Sequence, residues 1–478
     1  MIGWIILAVV VLFAVVLVVR TLAFQPSKEP LPAADELTLD HEKILSNFTR
    51  MIQLRTVSCA DWSKVDESQF EAFRMLLKEL YPAVHAQCSP ERIGRTGVLY
   101  HWKGKSAQAP VVLMAHYDVV PVLEERWQYP PFSAKIVNGE LWGRGTLDTK
   151  ITLLGVMEAA EKLIGEGFVP TNDIYMAFAG DEEISGESAP AIVCALEERG
   201  VTPAFVLDEG GAIVEKVFPG VSAPIAVVGI GEKGMADIQL TVEGKGGHAS
   251  QPPKHTALGT LAKAICACEK PPFKAHMTFP VEKLFSTVGP HAPFALRLVF
   301  ANMWCFGGLL TRMASLLGGD LNAMMRTTQS FNMAQGSPQS NVIPSVATAV
   351  ANLRLLNITT PEDARAHFEK VIKDADVKVE ILRCQKASPY ADPSSNGFTA
   401  MEKAIRHTWG DEVIVSPYLM MACSDSRHYS RICQNVFKFS AMALSKEQRA
   451  LIHNEDERIA VEKVGECVEF FTRLVRYL

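Results

Sequence analysis

The chain has 478 residues, of which 48% are hydrophobic, and its formal net charge is -6. This length and apolar content suit a folded protein of two or three domains with a sizeable core. Acidic residues outnumber basic ones, so no nucleic-acid partner is expected. No Cys-x-x-Cys pair occurs, and no disulfide framework is predicted.

The N-terminus differs from the rest of the chain. Residues 2–19 carry no charge, which is long enough for a transmembrane helix. A signal peptide usually starts with a basic segment, but here the only nearby basic residue, Arg20, follows the apolar run. We predict that residues 1–24 are a single-pass membrane anchor. Cleavage as a signal, which would give a secreted protein, is the alternative.

A short apolar run ends on a histidine at residues 111–118, Val-Val-Leu-Met-Ala-His-Tyr-Asp. The run predicts a buried strand of a parallel sheet. In open α/β sheets, ligands bind beyond the carboxyl ends of the strands, where His116 and Asp118 would stand. Taken alone, such a histidine is more often a structural residue than a metal ligand.

Acidic residues recur at similar places downstream. Asp148 precedes a predicted helix over 151–163, where an aspartate could also serve as an N-cap. A predicted strand over 174–179 is followed by Asp-Glu-Glu (181–183), and another over 204–207 by Asp-Glu-Gly-Gly (208–211). Carboxylates this close repel one another unless cations offset their charge. The pattern predicts a shared cation site, in which one of Glu182 and Glu183 binds a cation and the other faces the open side.

The pattern changes after residue 228. Alternating residues over 235–243 predict an antiparallel strand, followed by a glycine-rich loop with His248 and a helix over 257–268. An apolar stretch over 281–325 follows. We predict a second domain over 230–385, inserted into a first domain made of residues 25–229 and 386–478.

Six motifs resemble those of the co-catalytic zinc metallopeptidases of family M20, the aminoacylase and carboxypeptidase S type. They are Met-Ala-His-Tyr-Asp-Val-Val-Pro (114–121), Gly-Arg-Gly-Thr-Leu-Asp-Thr-Lys (143–150), Gly-Asp-Glu-Glu-Ile-Ser-Gly (180–186), Leu-Asp-Glu-Gly-Gly (207–211), Gly-Gly-His-Ala-Ser (246–250) and Asn-Val-Ile-Pro (341–344). The branch with Gly-X carboxypeptidase and N-fatty-acyl-amino-acid synthase/hydrolase is most similar. The resemblance implies an α/β fold: a mixed-sheet catalytic domain with an inserted α+β lid or dimerisation domain.

The resemblance also implies two zinc ions. Their ligands would be His116, Asp148 and Asp208 for one ion, and Asp148, Glu183 and His453 for the other. Glu182 would be the general base, and Asp118 would orient the ring of His116. Position 149 is threonine where the resemblance leads us to expect a second aspartate, at a junction that is often a cis peptide. Ligand type leaves manganese or cobalt open as the working ion.

Substrate recognition is expected from both domains. By resemblance, His248 would stabilise the oxyanion from the lid, often across a homodimer. Arg354 and Arg427 are candidates for binding a substrate carboxylate, with Asn341 nearby. Each arginine could equally be an ordinary surface residue. The apolar insert could line an acyl groove or pack at a lid or dimer interface.

The expected function is therefore hydrolysis of an amide bond in Gly-X dipeptides or N-acyl amino acids. The reverse condensation stays open. The alternative is a membrane-anchored receptor or scaffold that retains the fold without catalysis. Such a chain should have lost a ligand or the base, whereas all of these residues are present here.

Overall fold

A computed structural model describes residues 1–26, 30–216 and 218–478, without the side chains of 315–317. In these ranges the α-helices are α1 (Ile2–Ala23), α2 (His41–Ile52), α3 (Glu67–Leu80), α4 (Pro82–Cys88), α5 (Lys150–Gly165), α6 (Ser188–Glu198), α7 (Ala257–Glu269), α8 (Phe279–Val288), α9 (Phe294–Ala301), α10 (Met303–Leu317), α11 (Gly319–Met325), α12 (Pro361–Ile372), α13 (Asn396–Trp409), α14 (Lys446–Arg449) and α15 (Val461–Tyr477). The β-strands in the same ranges are β1 (Glu91–Ile93), β2 (Gly97–Trp102), β3 (Ser106–His116), β4 (Lys135–Val137), β5 (Glu140–Trp142), β6 (Asn172–Ala179), β7 (Phe205–Val214), β8 (Ile225–Glu232), β9 (Gly234–Glu243), β10 (Gly247–His248), β11 (Thr328–Gln335), β12 (Val342–Ile343), β13 (Val346–Leu355), β14 (Val377–Gln385), β15 (Ile414–Met420), β16 (Val436–Leu444) and β17 (Arg458–Ala460).

The larger sheet is mixed, with eight strands in the order β1-β2-β6-β3-β7-β16-β8-β15. Strand β3 pairs in parallel with both β6 and β7, whereas β2 is antiparallel to β6. The apolar run predicted as a strand is the buried second half of β3, which ends at His116. Helices α5 and α15 pack against each other and contribute to the core beside this sheet. Because β3, β6 and β7 run in parallel, the segments at their carboxyl ends meet at one edge.

The smaller sheet is antiparallel, in the order β11-β13-β9-β14. Burial alternates residue by residue along β9 and β13, as the alternating sequence predicts. The buried positions form a hydrophobic cluster with residues of α7 and α12. These elements lie in the chain between β8 and β15, which are neighbours in the larger sheet. This α+β unit is therefore inserted between two strands of the larger sheet.

Helix α1 is the one helix in the described ranges that alone is long and apolar enough to cross a membrane. None of its most apolar window is buried in the protein. Helices α9 and α10 pass the same test only as a pair, and a bend of 108° separates them. Membrane spans and signal sequences share these properties, so α1 fits both of the roles predicted for residues 1–24.

Candidate active site

The strand-end residues of the larger sheet converge on one cluster of imidazoles and carboxylates. His116, Asp148 and Glu183 have ligand atoms that all lie within 4.8 Å of one another. His116, Glu182 and Glu209 form a second such group. The two groups share His116, so both belong to a single site at the carboxyl edge of β3, β6 and β7.

The ring of His116 is fixed by its neighbours on both sides. Its Nδ1 lies 3.0 Å from the main-chain oxygen of Asp118, which can only accept, so this nitrogen carries the proton. Its Nε2 faces Asp148 at 3.0 Å and Glu209 at 3.2 Å. Burial alone would lower the pKa of His116, but these carboxylates raise it well above its usual value. The Nε2 atom thus points into the site as a ligand would.

Asp148 bridges two imidazoles. Its Oδ1 faces Nε2 of His116 at 3.0 Å, and its Oδ2 faces Nε2 of His453 at 2.9 Å. The same nitrogen of His453 lies 3.1 Å from Glu183. Hydrogen bonding of His453 to the carboxylates of Asp148 and Glu183 raises its pKa to about 10. The peptide bond between Asp148 and Thr149 is cis. The structure thus brings His453, the most distant predicted ligand in the chain, into the cluster.

Asp118 connects the histidine to the acidic loop after β6. Its side chain is fully buried and accepts a hydrogen bond from Ser58 at 2.6 Å. The main-chain N–H groups of Glu182 and Glu183 also donate to its two oxygens, each at 3.2 Å. Asp118 therefore contacts both the ring of His116 and the turn that carries the two glutamates.

In the loop after β6, burial and neighbouring negative charges disfavour the ionised forms of Glu182 and Glu183. Burial raises the pKa of Glu182 well above its usual value, and the charges of Asp425 and Glu209 add to that rise. Burial also raises the pKa of Glu183, although His453 opposes it. Within the described parts of the chain, Oε1 of Glu183 is buried without a hydrogen-bond partner. Buried carboxyl groups of this kind are protonated, paired with a positive charge or bound to a metal ion.

The structure corrects the placement predicted for Asp208. Its carboxylate accepts a hydrogen bond from the main-chain N–H of Ser426 at 3.0 Å, and Glu209 instead faces His116. Strand β7 continues beyond Asp208, and its register with β16 shifts between Asp208 and Gly211. Adjacent residues of a strand usually point to different sides, and at this irregularity Glu209 is the one that faces His116. Gly210 permits the irregularity with a φ of +144°, where a Cβ would meet Lys438 at 2.7 Å.

Residues 112–477 match the model of the peptidase family M20/M25/M40. The chain belongs to this family. It is 34% identical over 475 residues to a probable carboxypeptidase S-like 2 of Dictyostelium discoideum, covering 96% of this chain and 91% of that protein. It is 32% identical over 489 residues to the N-fatty-acyl-amino acid synthase/hydrolase PM20D1.1 of Danio rerio, covering 98% and 93%.

Among solved structures, the M20 family metallo-carboxypeptidase Sso-CP2 of Sulfolobus solfataricus has the same fold. The TM-score is 0.68 at 16% identity, and the match covers 91% of this chain and 99% of that one. The M20 membership confirms the resemblance drawn from the six motifs. It also confirms that the chain is a hydrolase of the metallopeptidase class.

The two residues predicted in the inserted unit, His248 and Asn341, have their described contacts within that unit. His248 is exposed on β10 and hydrogen bonds to Ser250 at 2.7 Å. Its strand pairs with β12, and the main-chain oxygen of Asn341 accepts from the N–H of Ala249 at 3.0 Å. None of the described contacts joins His248 or Asn341 to the carboxylates at the sheet edge.

The two arginines predicted to bind substrate are neighbours of Cys423. Arg354 lies 3.5 Å from its sulfur, and the charges of both Arg354 and Arg427 oppose the burial that raises the pKa of this thiol. Arg427 donates to the main-chain oxygen of Ser424 at 2.9 Å. Its charge also opposes the burial that raises the pKa of Asp425 to about 8. Through Asp425, Arg427 borders the position of Glu182.

One buried acid beside this site, Glu457, was not predicted from the sequence. Its fully buried carboxylate accepts from Arg144 at 2.6 Å and from the N–H groups of Leu147 and Gly145 at 2.6 and 3.1 Å. Arg144 in turn donates to the main-chain oxygen of Asn454 at 2.9 Å. Glu457 thus joins the loop before Asp148 to the loop after His453. Its only sequence signal was an acid four residues beyond a predicted ligand.

Proposed function

We propose that the chain hydrolyses the amide bond of small carboxylate-bearing substrates, either Gly-X dipeptides or N-acyl amino acids, with two zinc ions. The main support for this proposal is that Asp148 lies between the imidazoles of His116 and His453 and contacts both. Two half-sites on either side of one carboxylate fit a pair of divalent cations. The names of the M20 relatives support both substrate classes.

The donor set fits zinc. His116 and Glu209 would complete one half-site, and His453 and Glu183 the other, with Asp148 shared between them. Imidazole nitrogens and carboxylate oxygens are the ligands that zinc takes in catalytic sites. The buried, unpaired oxygen of Glu183 supports a cation at this position. Manganese and cobalt accept the same ligand types. Ions bound there would polarise the substrate carbonyl and lower the pKa of a water molecule.

Glu182 is proposed as the general base. Its carboxylate belongs to the group formed with His116 and Glu209, and burial raises its pKa, the direction that general bases need. Glu182 would take a proton from the attacking water while the water oxygen bonds to the amide carbon. The carbon–nitrogen bond then breaks, and Glu182 gives the proton to the leaving amine. The products are a carboxylic acid and an amine.

Substrate binding is proposed to use both parts of the chain. Arg354 and Arg427, which share Cys423 as a neighbour, would hold the substrate carboxylate by planar, bidentate hydrogen bonds. His248 and Asn341 would be brought to the site from the inserted unit, which we propose acts as a lid and as a homodimer interface. His248 would then donate to the oxyanion.

A hydrolysis screen with metal analysis tests the proposal. We expect the purified full-length chain in detergent to contain two equivalents of divalent metal and to cleave N-acyl amino acids or Gly-X dipeptides. A chelator should abolish cleavage, and added zinc, manganese or cobalt should restore it. A chain without bound metal that cleaves neither substrate class would favour the alternative, a non-catalytic scaffold with this fold.

The choice between Glu209 and Asp208 as ligand gives a separate prediction. We expect Glu209→Gln to lose one metal equivalent and to lower activity at least about 100-fold, since a ligand should matter no less than its supporting residues. Asp208→Asn keeps its shape and can still accept the hydrogen bond from the N–H of Ser426, so its metal content should stay at the level of the unsubstituted chain. Metal analysis of both purified variants makes the comparison. The reverse result would return Asp208 to the ligand set.

We also propose that α1 is retained as a membrane anchor. Asn302, which is fully buried, donates to the main-chain oxygen of Leu17 at 3.2 Å and to the hydroxyl of Thr21 at 3.3 Å. Arg20 donates to the main-chain oxygen of Ala301 at 3.3 Å. Removal of α1 would leave these buried polar groups without those partners, at a cost in free energy. These contacts support the anchor over a cleaved signal.

A further inference from the structure

We infer that the corner formed by α9 and α10 enters the same lipid bilayer as α1. The inference rests on the proposed anchoring role of α1 and goes beyond it, because it adds a second membrane-embedded surface from the inserted part of the chain. Three observations carry it: the exposed stripe of α10, the depth at which this corner meets α1, and the charges of the two helices.

Helix α10 exposes a stripe that a water-facing helix would fill with charged residues. The exposed positions follow helical spacing along one side: Trp304, Cys305, Gly308, Leu309, Arg312 and Met313. The side chains of Trp304 and Leu309 are 60% and 55% exposed. Apolar side chains this large, side by side on one helix, are typical of a surface covered by a partner or a membrane.

The contacts with α1 fix the depth of the corner. Phe13 meets the ring of Trp304 at a centroid distance of 6.0 Å, and Arg20 donates to the main-chain oxygen of Ala301. Arg20 is the first charged side chain after the apolar run, so it would lie at the membrane surface. Phe13 lies seven residues earlier, which is about 10 Å along a helix. Trp304 would therefore lie about 10 Å below the surface, the depth that in-plane helices reach.

The charges of the two helices also suit a membrane. In the sequence of α9 and α10 the charged residues are Arg297 and Arg312, and both are basic. Basic side chains on an apolar helix reach the headgroups and are attracted by anionic lipids. A second copy of the chain could also cover an apolar stripe. The continuity of the stripe with α1 through Trp304 favours lipid as the occupant.

Photolabelling of the full-length chain tests the inference. The chain is reconstituted into vesicles of phosphatidylcholine with a minor fraction of phosphatidylserine, together with an apolar diazirine that partitions into the bilayer. Labelled peptides are then located by mass spectrometry. Helix α1 is the positive reference. Leu382 and Ile358 in the inserted unit are matched exposed apolar references, at 54% and 52% exposure.

We expect residues 294–314 to be labelled as strongly as α1 and several-fold more than the segments with Leu382 or Ile358. The double variant Leu309→Glu with Met313→Glu should lose most of this labelling, whereas Leu382→Glu should not change it. These side chains are exposed, so the variants should fold normally, as circular dichroism can verify. Strong labelling of α1 with only reference-level labelling of 294–314 overturns the inference alone. Reference-level labelling of both segments overturns the anchor as well.

Discussion

Replacing Glu182 by glutamine is expected to lower kcat by about 10²–10⁴-fold, the usual contribution of a general base. Glutamine keeps the shape of the side chain but cannot accept the proton of water. KM should change little, because Glu182 is not among the residues proposed to hold the substrate carboxylate. Metal content should stay at the level of the unsubstituted chain, since the proposed ligands all remain. Steady-state kinetics and metal analysis of the same preparation measure these quantities.

Two matched variants in the same loop make this prediction specific. Glu183→Gln should lose one metal equivalent together with activity, because Glu183 faces His453 at 3.1 Å. Glu187→Gln replaces an exposed carboxylate and should keep nearly full activity. If Glu182→Gln retained more than about a tenth of kcat, Glu182 would not be the general base.

The position of the site in the fold was predictable because it depends on a local sequence pattern, an apolar run followed directly by polar residues. Three apolar runs mark strands whose carboxyl ends share an edge. One ends at His116, and the other two are followed by the acids after residue 179 and after residue 207. The parallel pairing of β3 with β6 and β7 places these ends together. The alternation of β9 likewise predicted an antiparallel strand with one buried face.

The choice between neighbouring acids was not predictable in this way. The side to which Asp208 and Glu209 point depends on the local backbone conformation of β7. There the register with β16 shifts, and β16 lies more than two hundred residues later in the chain. The strand predicted over 204–207 ended too early, because its apolar run stops at Leu207 while the backbone pairing continues to Val214. Hydropathy records burial of side chains, whereas strand pairing also continues through polar residues that line a site.

The supporting residues of the site were harder still to foresee. Glu457 acts on the Asp148 loop, which lies some three hundred residues earlier in the chain. Nothing in the local sequence indicates that its carboxylate is buried or which N–H groups it accepts from. Such contacts follow only from the packing of β17 against β5.

We expect Glu457→Gln to lower both the free energy of unfolding and the affinity for metal. Weaker metal binding by the folded variant would identify Glu457 as a positioning residue. The amide keeps one acceptor oxygen but turns an NH₂ group toward the donors of Arg144, Leu147 and Gly145. Breaking a buried ion pair in this way costs about 3–5 kcal/mol of unfolding free energy. The loops that carry Asp148 and His453 would no longer be tied together, so metal affinity should fall about 10–100-fold. Thermal unfolding and metal titration at a temperature where the variant is folded measure the two effects.

The control is a more exposed ion pair between the same two strands β5 and β17, Glu140 with Arg458, at 3.0 Å. Glu140→Gln should cost less than about 1 kcal/mol, because solvent screens partly exposed pairs, and metal affinity should not change. A role in folding alone predicts that folded Glu457→Gln binds metal as tightly as the unsubstituted chain. A role in positioning predicts weakened binding in the folded variant, since the carboxylate of Glu457 sets the distance between the loops that bring Asp148 and His453 together.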